Sequence, residues 1–227
     1  MSRIARVVAP GYPHHITQRG NRRQQTFFNE GDFKLYLQLM KEWCDKCGVE
    51  IWSYCLMPNH THLVAVPRDE AGLRRALGMA HWHYTRLINA REGWKGCLWQ
   101  GRFASYVMDE AYLCAAVLYI EYNPVRAGLV ACPCDYSWCS VNSRVSGQAD
   151  PLARLERLNE ILAVRGLFAD WSIKKEEVEE IKKHSSTGRP LGGEEFIAGL
   201  ERKLGLRFAK KRPGPKPGST ELSCVSP

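Results

Sequence analysis

The sequence predicts an α+β fold: a ferredoxin-like antiparallel sheet with helices on one face, one extra helix beyond that plan, and a helical appendage toward the C-terminus. Three observations carry this expectation. Segments of two-residue alternation and segments of helical period succeed one another as strand, helix, strand, strand, helix, strand. One further helical pattern, closed by Pro124, is left over. Beyond about residue 145 the composition shifts to short helical pieces and then to a basic stretch rich in proline and glycine. The expected units are residues 1–145 as the main domain, 146–206 as the helical appendage and 207–227 as a flexible tail.

The elements follow in order. "HHITQRGNR" reads as a strand that leaves into a basic loop, because Gly20 and Asn21 break the run. From Asp32 to Cys47, Phe33, Leu35, Tyr36, Leu39, Met40 and Trp43 recur at helical spacing, with caps offered between Asn29 and Asp32 and a stop at Gly48. "VEIWSYCLM", a tight "PN" turn and "HTHLVAVP" form a hairpin. Residues 70–91 return to the helical period, and "CLWQGRFASYVMD" reads as a strand pair or one long strand. Asp109 caps the helix "EAYLCAAVLYIEYN", and Pro124 ends it by removing a donor and disfavouring helical backbone before it. "DPLARLERLNEILAVRG", "IKKEEVEEIKKH" and "EEFIAGLERKLGL" are the three helical pieces of the appendage.

The chain has 227 residues, 44% hydrophobic and 25% charged, with a formal net charge of +8. The positive excess favours a polyanionic partner, nucleic acid foremost, because lysine and arginine gain affinity by displacing counterions from phosphates. No run of eighteen apolar residues occurs, and the N-terminal stretch is too broken by proline for a signal peptide, so a cytoplasmic, nucleoid-associated protein without membrane contact is expected. Nine cysteines then count as thiols. Cys44 and Cys47 fall inside a helical pattern, and Cys132, Cys134 and Cys139 have the wrong spacing for a zinc knuckle, which argues against structural zinc.

"CLMPNHTHLVAV" places His60 and His62 two apart on a strand, where side chains share a face and Cα atoms lie roughly 6.5 to 7 Å apart. Both imidazoles can reach one divalent cation, or both can be hydrogen-bonded within the fold. A catalytic ion wants a third protein ligand. In "YIEYNPVRAGLV", Tyr119 and Asn123 stand four apart, stacked on one helical face. Were that helix packed on the histidine face, Asn123 would complete the site and Tyr119 would present its phenol beside it. His81 and His83 are also two apart, but on a helix, where such positions diverge by about 200°. Tyr84 and Tyr122 are competing nucleophiles with weaker claims.

"MPNHTHLV", "GCLWQGRF" and "YIEYNPVRAGLV", with "TQRGNRRQQTFF" upstream, resemble in order and separation the single-tyrosine HUH transposases. Within these the chain is most similar to the REP-associated tyrosine transposases, bacterial relatives of short insertion-sequence enzymes. The resemblance covers roughly residues 1–145. It implies a ferredoxin-like catalytic domain in which His60 and His62 are metal ligands, Asn123 is the third ligand, carried on the helix, and Tyr119 is the nucleophile. Thr61 departs from the family's bulky apolar residue, a change that should matter to packing. The implied cofactor is magnesium or manganese. The implied substrate is single-stranded DNA carrying hairpins, nicked to a 5′-phosphotyrosine and a free 3′-hydroxyl and then transferred. Oligomeric state is left open between monomer and homodimer.

Arg19, Arg22 and Arg23 in the first loop, Gln100 and Arg102 beside the last strand, and Arg126 after the extra helix are the expected DNA contacts. Lys210, Lys211 and Arg212 in "KKRPGPKPG" read as a basic arm for a narrow groove. A catalytically silent hairpin-binding protein is the alternative. RNA recognition fits less well, since no aromatic pair has the RNP spacing.

Overall fold

In the computed structural model, residues 6–166 and 173–208 are described. The sheet has four antiparallel strands, β1 (His14–Arg19), β2 (Val49–Met57), β3 (His60–Pro67) and β4 (Ala104–Val107), in the spatial order β2-β3-β1-β4. This is the ferredoxin-like order. Two helices belong to that plan, α1 (Glu30–Cys47) and α2 (Gly72–Glu92). The others are α3 (Glu110–Glu121), α4 (Asn123–Arg126), α5 (Val141–Ser146), α6 (Glu156–Val164), α7 (Lys175–Thr187) and α8 (Glu194–Leu204).

Local chemistry sets the boundaries. Asn29 accepts the Asp32 amide at the start of α1, and Gly48 ends it at φ 63°, a left-handed conformation that favours glycine. Asp109 accepts the Tyr112 amide at the start of α3. Pro124 sits in the first turn of α4, where its missing N–H is harmless, so the chain kinks after α3 and resumes as one short turn.

The stretch from Cys97 to Asp109, read as a strand pair or one long strand, forms one short strand and a single bridge. Only Ala104–Val107 pairs in the sheet, and Trp99 meets Gly20 in an isolated bridge. Gly96 and Gly101, at φ 92° and 90°, turn the backbone out of extension. A short α5 forms where the sequence pattern predicts no helix.

Strand register decides what each face carries. Thr17 pairs with His62, Arg19 with His60 and His15 with Tyr106, so these side chains share one face. α3 packs on that face, with Tyr119 edge-on to the rings of His62 and His15. The intervening residues, such as Ile16, Gln18 and Leu63, point the other way, toward α1 and α2. The helices after residue 145 add to the same core: Leu155, Leu158, Leu162, Ile181 and Leu191 are buried with the sheet residues. A smaller cluster joins Leu200 and Phe208 to Val7 and Val107. No described helix is long and apolar enough to cross a membrane.

Candidate active site

The site is assembled at one end of the sheet by three loops that brace one another. After β1, Gly20 donates its amide to the Asn59 carbonyl at 2.8 Å, and Asn21 donates to Leu98 at 2.8 Å. Gln100 donates back to the Arg19 carbonyl at 2.8 Å. A Cβ at Gly20 would lie 2.3 Å from the Gln24 carbonyl oxygen, so only glycine fits there. The segments "TQRGNRR", "MPNH" and "LWQGR", far apart in sequence, thereby form one rim.

Below that rim lies a cavity of about 470 Å³ lined by His60, His62, Tyr119, Arg19, Gln100 and Arg102. Thr17, Gln18, Ala104, Lys182 and Ser185 complete it. The sequence singles out all of the first group, which the fold brings together. It does not single out Lys182 and Ser185, because they arrive on α7 from the region expected to be an appendage; the only hint is the lysine pair in "IKKH".

Both imidazoles of the pair are in a state suited to ligation. Burial, assisted by Arg19, holds His60 down at about pKa 4, and burial with its charged neighbours holds His62 well below the ordinary range. Both rings are neutral at pH 7. His60 Nδ1–H donates to Asn59 Oδ1 at 2.6 Å, which leaves a lone pair on Nε2. His62 Nδ1 lies 3.0 Å from His15 Nε2, so its Nε2 is likewise the nitrogen left to ligate. The ring centroids of His60 and His62 are 5.0 Å apart. His15 itself escapes a reading of the sequence; one of two adjacent strand histidines carries little signal beyond sharing the face of Thr17 and Arg19.

Asn123 stands differently. It is buried and does not line the cavity; its Oδ1 accepts Arg126 Nη2 at 2.5 Å, while its Nδ2 has no partner among the described residues. The same Arg126 nitrogen donates to the Tyr119 carbonyl at 2.7 Å, and the guanidinium carbon lies 3.9 Å from the Tyr119 ring centroid. Arg126 thus clamps Tyr119 to Asn123. Arg19 lines the same cavity as Tyr119. The two imidazoles therefore fit a divalent cation, whereas the Asn123 oxygen is shared with a guanidinium. Among the described residues no cluster of three histidine, cysteine, aspartate or glutamate side chains forms a metal site.

Arg22 and Arg23 are exposed in the rim loop, and both adopt positive φ, 52° and 62°, a strained choice for non-glycine residues. Lys210, Lys211 and Arg212 lie outside the described residues. His81 contacts the Tyr36 hydroxyl at 2.9 Å and His83 stacks on Trp43, so the helical pair diverges as its spacing demands. The Tyr84 hydroxyl is buried and donates to the Thr26 carbonyl at 2.7 Å.

Comparison with known proteins adds a family. Residues 10–123 match the family described as Transposase IS200 like, a span that takes in all four strands and ends at Asn123. A Haemophilus influenzae protein provisionally named REP-associated tyrosine transposase is 25% identical over 122 residues, covering 49% of this chain and 69% of that protein. A solved structure described as a REP-associated tyrosine transposase bound to a REP hairpin superposes with a TM-score of 0.51 at 21% identity, covering 68% of this chain and 92% of that one. At this identity the likeness is one of fold.

Proposed function

This chain belongs to the IS200-like transposase family, and from that membership we propose that it is a metal-dependent nickase and strand transferase of hairpin-bearing single-stranded DNA. The observation that carries the reading is the shared cavity of His60, His62 and Tyr119. The proposed substrate is a repetitive extragenic palindrome (REP) with an unpaired flank. It is supported by the name of the Haemophilus influenzae relative and by the REP hairpin bound to the solved transposase of similar fold.

In this reading, His60 and His62 would hold magnesium or manganese through Nε2, and Asn123, which lies outside the cavity lining with its Oδ1 engaged by Arg126, would have to turn that oxygen toward them to complete the set. The cation, when bound, polarises the scissile phosphate. Tyr119 Oη attacks phosphorus and forms a phosphotyrosyl bond as the P–O3′ bond breaks. The phenol loses a proton and the departing 3′ oxygen gains one, so protons balance. Arg19, in the same cavity lining, and Arg126, over the Tyr119 ring, would offset the negative charge that develops on the phenol. Arg102 and Gln100 on the cavity wall would fix the phosphate register. Because the ester conserves the linkage, a second 3′-hydroxyl can reverse the step elsewhere and rejoin the strand.

The engagement of Asn123 by Arg126 favours one other reading, a catalytically silent hairpin-binding protein. A nicking assay separates the two. Full-length protein with a labelled hairpin oligonucleotide cleaves in manganese or magnesium and not in chelator, and His60→Ala with His62→Ala abolishes cleavage while retaining binding. Binding without cleavage by the unaltered chain in either metal would leave the silent reading standing.

A further inference from the structure

A second groove, about 660 Å³ in volume, lies between α2 and the 96–103 segment and shares Gln18 and Arg102 with the lining of the catalytic cavity. Its wall on α2 is a four-residue stripe of Arg74, Gly78, Trp82 and Arg86, the i, i+4 rows of one helical face. Trp82 is 49% exposed, an unusual state for the largest apolar side chain. The Arg86 guanidinium lies 4.7 Å from the Trp82 ring centroid. Four arginines line the groove and no carboxylate does, and among the described residues Arg74, Arg86 and Arg102 form no ion pair.

Gly78 is the telling residue. It sits in the middle of a helix, where glycine destabilises relative to alanine, yet a Cβ there would meet nothing within 4 Å. Neither backbone conformation nor close packing within the chain asks for glycine. A flat stretch between a cationic and an aromatic side chain does, if something outside the chain must approach the helix.

We propose that this groove binds the unpaired DNA flank on its way to the catalytic cavity, with one base stacked on Trp82 and phosphates held by Arg74, Arg86 and Arg102. The inference rests on the DNA-processing reading above. An unpaired strand is the occupant that suits both features, since aromatic faces stack exposed bases while arginines follow the phosphates, and the bases of a duplex are already stacked. Arg74 to Arg86 spans about 18 Å along the helix, enough for several nucleotides.

The test uses the full chain carrying Tyr119→Phe, so that binding is read without chemistry, and two labelled oligonucleotides, a REP hairpin with its flank and the same hairpin blunt-ended. Trp82→Ala is expected to weaken binding of the flanked oligonucleotide about 5- to 100-fold and leave the blunt hairpin within twofold. Gly78→Leu is expected to produce the same selective loss while the melting temperature rises by about 2–4 °C, a pairing that a purely structural residue does not give. Unchanged flank affinity in both variants would overturn the proposal, as would equal losses on the two oligonucleotides. So would a change in sedimentation with unchanged DNA affinity, which would make a second copy of the chain the occupant. Failure of the parent protein to bind either oligonucleotide would take down the DNA-processing reading with it.

Discussion

His62 Nδ1 lies 3.0 Å from His15 Nε2, and His15 Nδ1 lies 2.9 Å from the Tyr106 hydroxyl, a buried chain directly behind the candidate metal pair. For His62 to offer a lone pair on Nε2, its Nδ1–H must donate to His15, whose own Nδ1–H then donates to Tyr106. His15 is therefore a positioning residue. His15→Ala is predicted to weaken manganese binding about 10- to 100-fold by calorimetry, with DNA binding in chelator unchanged. Tyr106→Phe removes the far end of the chain and should weaken it less. Unaltered manganese affinity in His15→Ala would show that the chain plays no part in holding the metal.

Acid should destabilise this protein earlier than its carboxylates alone would dictate. Burial holds His14 and His60 at about pKa 4 and His15 and His81 at about 3, against an ordinary value near 6.5. As pH falls through 6.5 the unfolded chain takes up protons that the folded chain refuses, so stability falls with pH from 6.5 down to about 4. Each such histidine costs about 2 kcal/mol at pH 5. His14 makes the cleanest test, since its Nε2 accepts the Ala9 amide at 3.1 Å and its Nδ1–H donates to Tyr12. His14→Gln is predicted to lower stability at pH 7, with the deficit narrowing by about 2 kcal/mol at pH 5 in denaturant titrations.

Glu121 ends α3, two residues after Tyr119, and pairs with Arg144 of α5 in a fully buried bidentate bridge at 2.7 and 2.6 Å. This bridge fastens the helix that bears the phenol. Arg144→Met takes the bidentate guanidinium away from a buried carboxylate and is predicted to cost about 3–5 kcal/mol in urea unfolding, whereas Glu121→Leu with Arg144→Met is predicted to cost less than the single substitution. A single substitution costing under about 1 kcal/mol would mean that the pair does not hold α3.

Much of this architecture is legible in the sequence because two periods announce it. β2 and β3 follow from alternation on either side of a two-residue turn, and α1 from its cap, stripe and terminal glycine. The histidine pair is legible for the same reason, since a strand puts alternate residues on one face. What escapes detection depends on distant partners. The 97–109 stretch has strand-forming residues but is turned aside by Gly96 and Gly101 and tied to the first loop. His15 gains meaning only from its register beside His62, and Lys182 only from the docking of α7. The clamp by Arg126 on Asn123 is three residues long, yet nothing in composition distinguishes that arginine from a solvated one.

Tyr119, and no other tyrosine, is predicted to take up the 5′ phosphate. The direct measurement is peptide mapping by mass spectrometry of the covalent product formed with a hairpin oligonucleotide in manganese. A single modified peptide carrying the nucleotide on Tyr119 is predicted, and no adduct from Tyr119→Phe. An adduct mapped to Tyr84 or Tyr122, or an undiminished adduct from Tyr119→Phe, would contradict it.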